Sequence, residues 1–163
     1  MCERFTMEHA GDLARMDRRM DVQRWLFGKT YTAAETHARA ERRVAYWETD
    51  GMGDYRVRTE DGTVVGFAGF FPSTLANALA IGYALMPEFW GRGYGTELAR
   101  ALTRTTLDLR RGDIVATVLA TNSASRHVLE KAGFIAAGPA AGDPEALLYR
   151  YERRARPSRR GIS

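Results

Sequence analysis

The sequence predicts a mixed α/β (α+β) fold in a single domain, with a central sheet of about six to seven strands and about four flanking helices. Three observations carry that class. Strand-like and helix-like periodicities follow one another along the chain in the order strand, helices, three strands, helix, strand, helix, two strands. A strand–turn–strand unit occupies residues 54–71. A glycine-rich stretch, "WGRGYG" (90–95), joins a long apolar run to a helical pattern. The length of 163 residues suits one domain, expected over residues 1–152, with a basic tail at 153–163.

Taken in order, "CERFT" (2–6) reads as a short strand. Residues 7–19 hold Met7, Ala10, Leu13, Ala14 and Met16 at roughly helical spacing, with Thr6 as N-cap. "DVQRWLFG" (21–28) reads as a short helix ended by Gly28. "TAAE" (32–35) is a capping box, in which Thr32 and Glu35 satisfy free amides of the first turn, so a helix runs over about 33–48. "DYRVRT" (54–59) alternates, "EDG" (60–62) turns, and "TVVGFAGFF" (63–71) returns. "NALAIGYALM" (77–86) is mostly apolar, which predicts a central strand. A helix over about 94–110 places Leu98, Ala101, Leu102, Thr105 and Leu109 on one face. "DIVATVL" (113–119) is a buried strand, and "NSASRHVLEKAGF" (122–134) a short helix stopped by Gly133. Strands at about 134–138 and 146–152 close the chain, with "AAGPAAGDPEA" (136–146) expected as a mobile rim.

Composition narrows the function classes. The chain is 45% hydrophobic and 27% charged, ordinary for a globular protein. It has no apolar run of membrane-span length and no signal-type N-terminus, so a cytoplasmic location without export is the expectation. Cys2 is the only cysteine, which excludes an internal disulfide and argues against a cysteine-based zinc site; no metal is expected. The formal charge of +4 comes entirely from the last segment, where five arginines face the single acid Glu152. That tail is expected to be solvated, with an electrostatic contact to RNA or another polyanion as the sharper alternative.

The glycine loop carries chemistry. It lies between the end of a strand and the start of a helix, where free backbone N–H groups and the positive end of the helix dipole favour an anion. Gly93 and Gly95 leave those amides accessible, and Arg92 adds a charge-assisted donor. The alternative is a tight connection in which glycines only ease packing. The dinucleotide fingerprint G-x-G-x-x-G and the triphosphate loop G-x-x-x-x-G-K-[ST] both fail on spacing.

The loop resembles the acyl-CoA pyrophosphate loop of the GNAT superfamily of N-acetyltransferases, which reads Gln or Arg, two variable positions, Gly, one variable position, then Gly or Ala. The match is Trp90 through Gly95, with Trp at the first position. "PEFWGRGYGTE" and "NSASRHVLEKAGF" are similar to blocks of the ribosomal-protein N-terminal acetyltransferase branch, the RimJ/RimL type, and the likeness covers about residues 2–151. It implies a cytoplasmic bacterial enzyme, monomer or homodimer, with a sheet splayed at the fourth and fifth strands. It also implies acetyl-CoA as donor and a primary amine, a protein N-terminus or a small molecule, as acceptor.

The same resemblance assigns roles. Tyr83, Leu85 and Met86, at the splayed strand end, would supply the oxyanion N–H and pair with the pantetheine arm. Arg92, Gly93, Tyr94, Gly95 and Thr96 would hold the pyrophosphate, Asn122 the pantetheine, and Ser125 the leaving thiolate's proton. Helix N-capping is the plainer role for Asn122 and Ser125. The branch's usual glutamate is Ala80 here, leaving Glu88, Tyr83 or a water chain as base. A tyrosine common in the superfamily is replaced by Leu129. Trp25, Phe27 and Tyr31 would line the acceptor pocket or, as the plainer alternative, pack in the core. The histidines 9, 37 and 127 stand isolated in sequence. A non-catalytic acyl-CoA sensor is the competing reading, favoured by Ala80.

Overall fold

A computed structural model describes residues 1–73, 75, 77–109 and 112–152; the basic tail, 153–163, lies outside them. Seven strands form: β1 (Cys2–Arg4), β2 (Asp54–Arg58), β3 (Val64–Pro72), β4 (Ala78–Leu85), β5 (Asp113–Leu119), β6 (Phe134–Ala140) and β7 (Asp143–Tyr151). They make one sheet in the order β1-β2-β3-β4-β5-β7-β6, and only the β4–β5 pairing is parallel. The long apolar run at 77–86 is therefore the middle strand, as a segment covered on both faces should be. Five helices accompany the sheet: α1 (Ala10–Asp17), α2 (Met20–Gln23), α3 (Ala33–Asp50), α4 (Tyr94–Asp108) and α5 (Ser123–Ala132). Among the described residues no helix is long and apolar enough to cross a membrane.

Side-chain alternation gives the sheet two apolar faces. On one, Ala68, Leu85, Leu98, Ala99, Leu102, Leu129 and Tyr149 join a core under α4 and α5. On the other, Phe67 and Met86 pack with Phe5, Leu13, Met16, Val22 and Ala40 beneath α1, α2 and α3. Each buried leucine contributes about 2 kcal/mol of transfer free energy. The α3 N-terminus is the expected capping box: Glu35 N–H donates to Thr32 Oγ1 at 3.3 Å and Thr32 N–H to Glu35 Oε2 at 2.8 Å. Its end is a left-handed Gly51, φ 67°.

Two segments differ from expectation. The helix expected at 21–28 stops at Gln23, because its carbonyl is shared by the N–H groups of Leu26, Phe27 and Gly28 at 3.0, 3.0 and 2.9 Å, which coils the rest into turns. Residues 136–146 are not a loop. They continue β6 and begin β7 as a hairpin, with Gly138 and Pro139 absorbed by a register shift between Ala136 and Pro139 on β6, the sheet edge, where proline is tolerated.

The feature that positions the site is where pairing stops. β4 and β5 pair through only three residue couples, Ala78–Asp113, Leu79–Ile114 and Ala80–Val115. Beyond them β4 continues with β3 to Leu85, and β5 continues with β7 to Leu119. The two strands part, and the side of β4 from Ile81 to Leu85 that faced β5 loses its partner.

Candidate functional site

The open side of β4 has an assignable orientation. The Met86 N–H donates to Val65 O at 2.8 Å, so it faces β3. Alternation along the strand then turns the backbone groups of Leu85 and Tyr83 toward the gap. The Leu85 carbonyl is taken there by the indole N–H of Trp90 at 2.9 Å. Met86, expected to contact a ligand, is engaged elsewhere: its carbonyl accepts from Phe89 N–H at 2.9 Å and its side chain is buried.

One 3-10 turn, Pro87–Phe89, carries the chain off β4. Gly91 and Gly93 follow with φ of 72° and 86°, a region open to glycine and strained for other residues. Gly93 is the N-cap of α4, and the first helical bond runs from Glu97 N–H to Gly93 O at 3.1 Å. The amides of Tyr94, Gly95 and Thr96 are left without a partner among the described residues. Gly95 also has a packing role. A Cβ there would lie 3.3 Å from both the Tyr83 ring and Val128, so its bareness lets α4 lie against β4 and α5. Arg92 is exposed, with its guanidinium 5.6 Å from the Phe89 ring and no carboxylate in ion-pair range among the described residues.

Across the gap stands the N-terminus of α5. Asn122 Oδ1 accepts the Ser125 N–H at 3.0 Å, which makes it a true N-cap, and its amide NH₂ has no partner among the described residues. Ser125 Oγ lies 2.9 Å from the Tyr83 hydroxyl. The two are 42 residues apart, and the phenol reaches α5 from the part of β4 that no longer pairs with β5. Burial pushes Tyr83 up to about 12, against the opposing hydrogen bond from Ser125. Arg126 fixes this end of the helix by donating to Ala120 O at 3.1 Å and to the Tyr149 hydroxyl at 3.2 Å.

The remaining expected residues fall outside that cluster. Glu88 is exposed on the 3-10 turn and sits 3.5 Å from Arg19 Nη1. His127 is exposed on α5. Trp25, Phe27 and Tyr31 do not pack in the core: Phe27 is 61% exposed and the other two are half-buried. Phe27 and Tyr31 meet edge to face, ring centres 6.0 Å apart, as a wall beyond α2, whose Val22 shares a core with Met86 and Phe89, and Trp25 stands on the turn just after α2. Sequence reasoning missed what supports this wall. Asp17, fully buried, accepts Thr36 Oγ1–H at 2.9 Å and Gln23 Nε2–H at 3.2 Å, and Arg39 Nε approaches it at 3.1 Å. A lone Asp in a run of arginines carries no signal of that in one dimension.

The arrangement combines free helix-terminal amides beside an unpaired arginine, an open strand edge, and a proton-bearing hydroxyl pair. Such a groove suits an extended ligand with an anionic end. Two surface hollows, of about 250 and 360 Å³, lie elsewhere and include none of these groups; one is lined by Glu130, Gly133 and Phe134, the other by Arg100, Arg104 and Leu107.

A model of the acetyltransferase (GNAT) domain matches residues 2–135. Among solved structures, an acetyltransferase from Agrobacterium tumefaciens is 25% identical with a TM-score of 0.81, over 93% of this chain and 90% of that one. The aminoglycoside acetyltransferase AAC(6')-Ib in complex with coenzyme A and kanamycin gives 18% identity and a TM-score of 0.76, over 92% of each chain. The ribosomal-protein-S5-alanine acetyltransferase from Vibrio fischeri gives 17% and 0.73, over 91% and 90%.

Proposed function

Because the chain belongs to the GNAT acetyltransferase family, we propose that it transfers the acetyl group of acetyl-CoA to a primary amine, a protein N-terminus or a small molecule, by direct attack in a ternary complex. The observation that carries this reading is the Tyr83–Ser125 hydroxyl pair standing at 2.9 Å where β4 and β5 part. The AAC(6')-Ib structure, solved with coenzyme A and kanamycin, supports the same assignment of donor and acceptor class. Trp90 and the blocks around it favour the ribosomal-protein N-terminal branch, and the Vibrio fischeri enzyme shares the fold.

The donor fits the residues present. Its pyrophosphate would take the amides of Tyr94, Gly95 and Thr96 together with Arg92, and its pantetheine amides the backbone of β4 and the free amide of Asn122. The donor supplies an activated thioester carbonyl. The acceptor nitrogen bonds to that carbon, and the N–H groups at Tyr83 and Leu85 are the donors aimed at the gap to stabilise the oxyanion. When the C–S bond breaks, the thiolate takes a proton from the hydroxyl pair. The ammonium proton lost by the acceptor leaves through water, with Glu88 on the turn after β4 as the carboxylate that receives it. Burial pushes the Tyr83 phenol up to about 12, which favours a proton-donating role for it over that of a base.

A pH prediction follows. With Tyr83 held at about 12, kcat stays flat on the alkaline side up to about pH 10, while the acid limb follows the acceptor amine's own pKa. Rate profiles with two amines of different pKa check this; an alkaline limb near pH 9 with both would contradict the assignment. The loop has its own test. Arg92→Ala raises the dissociation constant for acetyl-CoA about tenfold, the loss of one charge-assisted contact of about 1.5 kcal/mol. Calorimetric titration reads it, and an unchanged constant removes Arg92 from the pyrophosphate site. The function itself is tested by thiol release from acetyl-CoA across a panel of peptides and amines. Release that no acceptor accelerates would leave a non-catalytic binding module.

A further inference from the structure

Trp25, Phe27 and Tyr31 each already hold a cation against the ring. Arg24 lies 4.7 Å over Trp25, Arg39 4.8 Å over Phe27, and Arg39 and Lys29 4.0 and 4.9 Å over Tyr31. Arg39 is held in place: its side chain is only 10% exposed and its Nε sits 3.1 Å from the buried Asp17. An approaching ammonium therefore meets ring faces that resident cations already use.

The carboxylates around the wall are committed as well. Asp17 serves Arg39, Glu35 serves Lys29 at 2.9 Å, and Asp21 and Glu88 both serve Arg19, at 2.8 and 3.5 Å. Arg24 has no carboxylate in ion-pair range among the described residues and is exposed. Among the described residues, the cations on these rings thus include one, Arg24, without a carboxylate, while each of these four acids lies within reach of an arginine or lysine.

We infer that the acceptor is an amine whose non-reacting part carries a carboxylate, and that polycationic amines are turned away by charge and not by size. This rests on the acetyl-transfer reading above. Arg24 supplies the attraction; the asymmetry of the wall supplies the discrimination. The contrast is with the structural neighbour that was solved with the polycation kanamycin.

The test uses the full chain, saturating acetyl-CoA and three acceptors: the peptide Ala-Asp-Glu, the peptide Ala-Lys-Lys and kanamycin. At low salt the acidic peptide is expected to have a kcat/KM about tenfold above the lysine peptide, with the ratio shrinking toward one at about 0.5 M salt, as an exposed charge effect must. Arg24→Glu abolishes or inverts the ratio. Arg104→Glu, the same charge change on an exposed residue of α4, leaves it intact. Equal or better turnover of the lysine peptide or kanamycin overturns the inference and leaves acetyl transfer standing, as do identical effects of the two charge reversals. Thiol release that none of the three acceptors raises above the acceptor-free rate overturns both.

Discussion

Tyr83→Phe is expected to lower kcat about a hundredfold and to leave the affinity for acetyl-CoA within about twofold, the usual size of a lost general acid. The phenol is half-buried, held neutral by burial, and within 2.9 Å of Ser125 Oγ. Either hydroxyl can release a proton to the thiolate and be refilled by the other. The pair thus behaves as one unit, and Ser125→Ala should cost about as much as Tyr83→Phe, with the double substitution adding little. Leu129, buried on α5, bears no hydroxyl, and the phenol of this pair comes from Tyr83 on β4. Single-turnover kinetics with each variant read the chemical step directly. Full turnover by Tyr83→Phe would remove the phenol from the mechanism, and simple multiplication of the two losses would mean two independent roles.

The largest stability effect is expected at Asp54. Its carboxylate is buried, with Arg43 Nη1 2.7 Å away, and its backbone carbonyl accepts from Trp47 Nε1 at 2.8 Å and Phe5 N–H at 2.9 Å. Burial pushes the carboxyl up, and Arg43 works against that push. Asp54→Ala leaves Arg43 without its carboxylate between Phe5 and Phe67, whose rings lie 5.6 and 5.4 Å from its guanidinium. Breaking one side of a buried pair costs about 3–5 kcal/mol, which at this chain length lowers Tm by roughly 10 °C. Replacing both partners, Asp54→Ala with Arg43→Met, should cost less than Asp54→Ala alone, because no unpaired charge remains. Thermal unfolding of the three variants decides it; a double variant that is the least stable of the set would contradict the account.

Elements whose signal is local were legible. The Thr32–Glu35 box, the strand at 113–119, the N-cap at Asn122 and the left-handed Gly133 each depend on a few neighbouring residues, and each forms where its pattern stands. The glycine loop was legible as a strand-to-helix connection for the same reason, since a strand end, positive φ and a helix start are consecutive. What stayed hidden needs contacts distant in sequence. Nothing in one dimension joins Tyr83 to Ser125, or says that Trp90 would cap the Leu85 carbonyl. Arg39 and Arg43 sit in a helix read from its capping box alone, and their partners are Asp17 and Asp54 from other elements. The stretch 136–146 misled because glycine and proline signal turns, and an edge strand with a register shift accommodates both. The packing of Gly95 was hidden in the same way: its missing side chain makes room for Tyr83 and Val128, which are distant in sequence.

A structure of the protein bound to coenzyme A tests the central claim most directly. The pyrophosphate is expected against the amides of Tyr94, Gly95 and Thr96 with Arg92 beside it. The sulfur is expected within hydrogen-bond range of the Tyr83–Ser125 pair. A ligand seated instead in the hollow lined by Arg100 and Arg104, with the gap between β4 and β5 left empty, would contradict it.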